Sequence, residues 1–323
     1  MHNVVAIVEC RDYSSEMLSG ALDAVLTDLG GIERYAQPGE KVMIKPNFIR
    51  ALPLSLPALT HPAIIAVLAE KIRSVGCIPA VGDSPAFGSL KSIQAIPGLK
   101  DILAPARIDM VPFTKGKKIV LPVSGIRGIR LASVLDEFPV VFNVPKLKAH
   151  AQLLISGAAK NLFGFVCGRN KAFQHFRVAG DLERFATMLA EIAAIVSPAL
   201  TIVDGIQGLE RSGPSWGDPY EYGVVIAGAN VFAVDYTLAE LFGLPWQRVP
   251  ILRGARNAGL FDPEHDKVEI RGDSRIIRER FKAACLPGEK ELVPISFTFP
   301  RLVKGFFRHV KESLVMATAA KKK

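Results

Sequence analysis

The amino-acid sequence predicts an α/β protein, a largely parallel sheet with flanking helices, continued by a C-terminal helical extension. Short apolar runs of strand length alternate with apolar residues at helical spacing, and glycine and proline punctuate the joints. Several of the strand-like runs also end on a charged or amide side chain. Residues 4–8 form the first apolar run, and Leu18, Ala21, Leu22, Val25, Leu26 and Leu29 then recur three and four apart, the stripe of an amphipathic helix. Pro38-Gly39 turns the chain into a strand over 41–45, stopped by Pro46. Thr60 caps a helix with Pro62 in its first turn, carrying Ile64, Ile65, Leu68 and Ile72 on one face. Gly76 ends that helix, and residues 78–82 lead to Asp83. The rhythm resumes with a buried strand over 138–144, a helix over 182–196, strands over 200–203 and 222–227, and a helix over 232–241. Residues 205–219, rich in Gly, Pro and Ser, are expected to form a loop, a candidate lid. The layering is Rossmann-like, but the sequence has no G-x-G-x-x-G, so a nicotinamide site has no support.

Residues 1–265 read as the α/β domain and 266–323 as a basic C-terminal extension. In the extension Arg275, Arg278, Arg280 and Lys282 cluster. Leu302, Val303, Phe306, Phe307, Val310 and Leu314 form a helical stripe with Lys304, Arg308 and Lys311 opposite. That amphipathic helix is expected to dock on its own domain, with a membrane-surface or dimer contact as the alternative.

At 323 residues, 49% hydrophobic and 22% charged, the chain has material for a large core without disulfide or metal staples. Cys10, Cys77, Cys167 and Cys285 lie far apart with no C-x-x-C pair. That pattern supports no iron–sulfur cluster and reads as four reduced thiols in a cytoplasmic protein. Glu9, Arg11 and Asp12 cut short the first apolar run, and Glu191 and Pro198 interrupt the most apolar later stretch. Neither a targeting segment nor a transmembrane segment is expected. The net charge of +9 permits nucleic acid, anionic lipid or an anionic metabolite as partner. Dispersed charge with 8% aromatics, and no nucleic-acid module, argues against nucleic acid.

Lys45 with Asn47, Asp83 with Ser84, Lys146 with Lys148, and Asp204 stand at the ends of four separate strand candidates. The C-terminal ends of parallel strands line one edge of a sheet, so these groups are expected to share one crevice. Lys146, Lys148 and His150, spaced two apart, project to the same side of an extended backbone. Like charges held together repel, which calls for an anion between them. His150 is the general acid–base candidate, because imidazole titrates near neutral pH. Ser156-Gly157 followed by Lys160-Asn161 can bring backbone N–H groups and an amine to a phosphate or carboxylate, although Walker A spacing is absent. Asp83 and Asp204 are candidate ligands for a divalent metal ion, or alternatively partners that orient the lysines.

These motifs resemble, in order, the family catalogued as domain of unknown function 362. The likeness runs through Lys45-Pro46-Asn47, Thr60-His61-Pro62, Gly82-Asp83-Ser84-Pro85 and Lys146-Leu147-Lys148-Ala149-His150. It continues through the run from Ser156-Gly157 to Lys160-Asn161-Leu162-Phe163-Gly164, then His175 and Val203-Asp204-Gly205-Ile206. It covers roughly residues 3–260. Members often carry ferredoxin-type iron–sulfur motifs, whereas this chain lacks those cysteines and has Phe165 where a Cys is usual. The resemblance therefore implies a site but names no reaction.

The function expected is that of an enzyme acting on a carboxylate- or phosphate-bearing small molecule. His150, Lys148 and Lys160 are its candidate catalytic residues. Lys45, Asn47, His61, Ser84, Lys146, Ser156, Gly157, Asn161 and His175 are its candidate substrate contacts, and Asp83 and Asp204 its candidate metal ligands. The rivals are a redox partner for a separate iron–sulfur or flavin protein, and a non-enzymatic anion- or nucleic-acid-binding protein.

Overall fold

The computed structural model describes residues 3–288 and Leu292, apart from Arg169, Ala179 and Asp273. In chain order the elements are β1 (Asn3–Glu9), α1 (Ser15–Asp28), β2 (Lys41–Pro46), α2 (Pro62–Ser74) and β3 (Ile78–Asp83). Next come α3 (Leu90–Gln94), α4 (Leu99–Leu103), β4 (Asp109–Pro112), β5 (Gly116–Leu121), β6 (Ile126–Ala132) and β7 (Val140–Val144). They are followed by β8 (Lys146–His150), β9 (Leu154–Ser156), α5 (Ala158–Asn161), α6 (Asn170–Arg177), α7 (Leu182–Val196) and β10 (Leu200–Glu210). The chain continues with β11 (Asp218–Gly228), α8 (Val231–Leu241), α9 (Pro250–Asn257), β12 (Val268–Arg271) and α10 (Arg275–Ala283).

The main sheet runs β12-β1-β11-β10-β7-β2-β3-β4. The pairs β10–β7, β7–β2, β2–β3 and β3–β4 are parallel, and β11 runs antiparallel between β1 and β10. Alternation along the strands builds two cores, one on each face. In β2, Val42 and Ile44 join Leu18, Leu22, Ile65 and Leu68 of α1 and α2. Met43 points the other way, into the layer of Leu189, Ile192, Leu238 and Leu252 from α7, α8 and α9. This is the α/β layering expected.

The geometry at the sheet edge depends on β7, Pro145 and β8. Phe142 and Asn143 of β7 pair with Leu200 and Thr201, at the start of the eleven-residue strand β10. After the proline, Lys146 and Lys148 pair with Asp204 and Leu209, farther along the same strand. The chain thus continues past the edge of the sheet, carrying its lysines above the C-terminal ends of β2 and β3. Antiparallel pairing of β8 with β9 secures it there.

The structure corrects two expectations. Residues 205–219 are not a lid loop: β10 and β11 extend through most of them, leaving a turn over 211–217 with a cis Gly213–Pro214 bond. The glycines that signalled a loop permit close packing instead. A Cβ on Gly208 would press on the Leu147 carbonyl and lie 2.8 Å from Tyr222. The cap of α2 is His61, whose Nδ1 accepts from the Ala63 N–H at 3.3 Å. Thr60 instead ties two loops together, accepting from the Asn47 N–H and donating to the Val144 carbonyl, both at 2.7 Å. Elements past residue 265 join the sheet and its core. β12 pairs in parallel with β1, and Phe281 of α10 packs on Tyr222 and Phe242. The amphipathic stripe of residues 302–314 lies outside the described residues.

Candidate functional site

Two lysine–aspartate pairs anchor the edge of the sheet. Lys45, at the end of β2, places its Nζ 2.8 Å from Asp83 Oδ1 at the end of β3, and both side chains are buried. Asp83 also accepts the N–H groups of Ser84 at 2.7 Å and Phe48 at 2.9 Å, so its carboxylate organises the loops after both strands. Gly164, from the Asn-Leu-Phe-Gly run, seals this pair. A Cβ there would sit 2.5 Å from Lys45 Nζ and 2.6 Å from Asp83 Oδ1. Lys146 in β8 lies 2.9 Å from Asp204 Oδ2 in β10, again fully buried. Tyr13 completes this second group. Its hydroxyl donates to Asp204 Oδ1 at 2.8 Å, accepts from Lys146 at 2.6 Å and stacks its ring on His61 at 3.8 Å. Burial holds the His61 imidazole down at about 4, so it is neutral at ordinary pH. Burial also pulls Lys45 and Lys146 below the usual lysine range, against the pull of their aspartates.

Between these pairs runs a chain of amides. Asn47 donates to Asn161 Oδ1 at 3.0 Å, and Asn161 donates to Asn143 Oδ1 at 2.8 Å and to the Lys45 carbonyl at 3.1 Å. Lys148 ends in this network, donating to Asn47 Oδ1 and the Ala58 carbonyl, both at 2.7 Å. Among the described residues its amine has only neutral acceptors. Burial, then the charges of Lys160 and Lys146, push it well below the ordinary lysine value. Lys160, half-buried on α5, makes no hydrogen bond or ion pair with the described residues. Burial and Lys45 lower it to about 8. Lys171 of α6 is a further member of this group, buried with its amine donating to the Ser84 carbonyl. Burial brings it too down to about 8.

The remaining predicted residues have other surroundings. Ser156 pairs with Lys148 across β8 and β9. The helix start after Gly157 is occupied by the protein's own anion: Asp235 of α8 accepts from Ala158 at 2.6 Å and Ala159 at 2.9 Å. Gly157 lacks a side chain because a Cβ would collide with that carboxylate. Burial raises Asp235 to about 7, against the two N–H groups that favour its charge. His150 is buried at the end of β8, with Nδ1 accepting from Gln152 at 3.1 Å and Leu153 at 3.2 Å. Its neutral form therefore carries the proton on Nε2. Ser84 Oγ accepts from Gly168 at 3.2 Å. His175 falls on α6, and its side chain lies outside the described residues. Asp83 and Asp204 each hold a lysine, and no three His, Cys, Asp or Glu side chains gather as a metal site among the described residues.

Beside the lysines opens a cleft of about 420 Å³ at the C-terminal ends of β3 and β4. Asp83 and Ser84 form one wall, and Thr114, Arg130 and Cys167 stand in the lining. Tyr13, Lys171 and Arg130 carried no signal in the sequence. A tyrosine in a loop, a lysine on a short polar helix and an arginine on a hairpin all look like ordinary surface.

The profile of the family described as Domain of unknown function (DUF362) matches residues 42–240, which contain both anchored pairs, the amide chain and all the clustered lysines. The chain belongs to the DUF362 family. A relative covered over its whole length agrees in extent. The "Thylakoid-associated protein sll1697" of Synechocystis sp. (strain ATCC 27184 / PCC 6803 / Kazusa) is 32% identical over 321 residues, 97% of this chain and 98% of that protein. Among solved structures, the lactate racemase apoprotein from Thermoanaerobacterium thermosaccharolyticum is similar with a TM-score of 0.42 and 11% identity. That likeness covers 75% of this chain and 57% of the other. Among the described residues of this DUF362 protein, no helix is long and apolar enough to cross a membrane.

Proposed function

We propose that this DUF362 protein is an enzyme acting on an anionic small molecule, a carboxylate or phosphate, bound by the lysines at the C-terminal edge of the sheet. The observation that carries this reading is an imbalance of charge. Lys45, Lys160 and Lys171 lie within electrostatic reach of one another, and among the described residues Asp83 is the carboxylate that serves them. Asp204 is already committed to Lys146. Buried cations without counterions are costly unless something neutralises them. A bound anion does so, and Lys160, with no acceptor of its own among the described residues, is its first contact. Lys148 is suited to proton transfer. As a neutral amine it donates its two N–H groups to Asn47 and Ala58 and keeps a lone pair free for a substrate proton. His150, neutral with its proton on Nε2, can donate a hydrogen bond to a substrate oxygen as its charge develops. Asp83 and Asp204 act in this reading by holding Lys45 and Lys146.

A thermal-shift screen of carboxylates and phosphates on wild type, Lys160→Gln and Lys148→Gln tests this. A true ligand at a hundredfold over its Kd stabilises the wild type by about 2.7 kcal/mol. Lys160→Gln should lose about ten- to a hundredfold in affinity. Equal responses from wild type and Lys160→Gln would sink the reading. Stoichiometric iron and labile sulfide in the purified protein would favour the redox-partner alternative.

A second reading concerns location and rests on the thylakoid-associated relative, which aligns with 97% of this chain. We propose a peripheral contact with an anionic membrane surface through Lys304, Arg308, Lys311 and the closing run of Lys321, Lys322 and Lys323. Co-sedimentation of the full chain with phosphatidylserine vesicles but not with phosphatidylcholine vesicles is expected, and its loss on deleting 301–323. Equal sedimentation with and without the tail would refute it.

A further inference from the structure

The open space lies beside the lysines rather than among them, and its lining carries Arg130. We infer that the cleft at the ends of β3 and β4 is a second anion subsite, read by Arg130, and that the substrate class is small molecules with two anionic groups, such as dicarboxylates or phosphorylated carboxylates. This inference rests on the proposed function, because it assumes that the lysines take the first anion.

The hairpin β5–β6 presents Arg130, and it is clamped to the segment that follows Gly164. Cys167 N–H donates to the Arg130 carbonyl at 2.9 Å, Leu131 bridges Val166, and the Cys167 thiol donates to the Lys115 carbonyl at 3.3 Å. Gly116 makes the clamp close: a Cβ there would lie 2.6 Å from the Leu131 carbonyl and 2.8 Å from the Cys167 sulfur. The backbone of Arg130 is therefore fixed while its side chain is not engaged. Its guanidinium makes no hydrogen bond or ion pair with the described residues, and neither does the Thr114 hydroxyl nearby in the lining. A guanidinium offers a planar fork of donors that matches a carboxylate or phosphate with two parallel bonds.

Also in the lining, Asp83 is backed by Lys45, and the Ser84 carbonyl holds Lys171. Lys171 is itself within electrostatic reach of both Lys160 and Cys167, which ties the cluster to the cleft. The cleft therefore has Arg130 in its lining, while Asp83 and Ser84, also in the lining, connect it to Lys45 and Lys171 behind them. Burial raises the Cys167 thiol against the pull of Arg130 and Lys171, so no thiolate competes for the guanidinium. The volume falls in the usual range of small-molecule sites, and the position is the one where parallel α/β sheets bind ligands.

Calorimetric titration of the full chain with acetate, malonate, succinate, glutarate and phosphonoacetate tests this, using wild type, Arg130→Gln, Arg130→Lys and Lys160→Gln. The wild type should bind at least one of the four dianions about tenfold or more tighter than acetate. Arg130→Gln should reduce that dianion's affinity about ten- to a hundredfold and leave acetate unchanged, with Arg130→Lys in between. Lys160→Gln should weaken acetate and dianion together. Arg130 is exposed, so its variants are expected to fold, and an unchanged melting temperature checks this. If Arg130→Gln binds the dianion as the wild type does, the subsite is overturned while the lysine reading stands. If the wild type binds none of these anions, both are overturned.

Discussion

Titrating Lys160 probes the site through a property of the empty protein and a property of the complex at once. Burial, and secondarily Lys45, lower its amine from 10.5 to about 8. The fold therefore disfavours the ammonium, while the unfolded chain keeps its proton up to the ordinary value. The penalty is fully present below about pH 8 and is relieved as pH rises from there to about 10.5, because the unfolded state then binds more protons. A fall of that size corresponds to about 3 kcal/mol in full. Water reaches the half-buried side chain and screens part of it, so we expect about 1–2 kcal/mol. Anion binding should run the other way. It needs the ammonium, and above about pH 8 affinity should fall by up to about tenfold per pH unit. The assay is urea unfolding and succinate titration at several pH values between about 7 and 10, on wild type and Lys160→Met. Lys171 also titrates near 8, so the difference between the two proteins isolates the share of Lys160. Superimposable stability curves, or an affinity flat across this range, would refute the assignment.

Three further outcomes are expected. Asp83→Asn leaves Lys45 buried without a carboxylate and should cost about 3–5 kcal/mol in urea unfolding; a loss below about 1 kcal/mol would show the pair to be idle. Gly164→Ala drives a methyl group into the Lys45–Asp83 pair and should cost about 1–3 kcal/mol, with loss of the anion-induced thermal shift. The control is Gly20→Ala, in open space on α1, which should stabilise by about 0.5–1 kcal/mol. Asp235, raised by burial to about 7, lets the fold hold a proton that the unfolded chain releases near 4, so stability should decline as pH rises between those values. Asp235→Asn should show a flatter profile over that window in pH-dependent thermal melts.

Where a structural element is specified within its own few residues, the sequence was readable. The helix Leu182–Val196 has the bounds expected of it: Asp181 caps it, accepting from Arg184 at 2.9 Å, its apolar residues recur at helical spacing, and Pro198 follows its end. The strand-end lysines and aspartates were readable for a similar reason. A polar residue closing a buried apolar run has only the sheet edge to occupy, and Lys45 and Asp83 are there; Asp204 falls inside β10, which continues to Glu210, and Lys146 opens β8 beside it. The 205–219 segment was misread because a glycine looks the same whether it turns the chain or lets the backbone of β8 approach. Only the tertiary structure decided which aspartate serves which lysine. That depends on the order of strands β10, β7, β2 and β3, joined by long crossovers that leave no local pattern. The burial of Lys171, the placing of Tyr13 between Lys146 and Asp204, and the presentation of Arg130 by a clamped hairpin were decided the same way. Residue type and spacing determined that this protein gathers lysines at one edge of a parallel sheet. Which of them are paired with an aspartate there was set by packing between segments far apart in the chain.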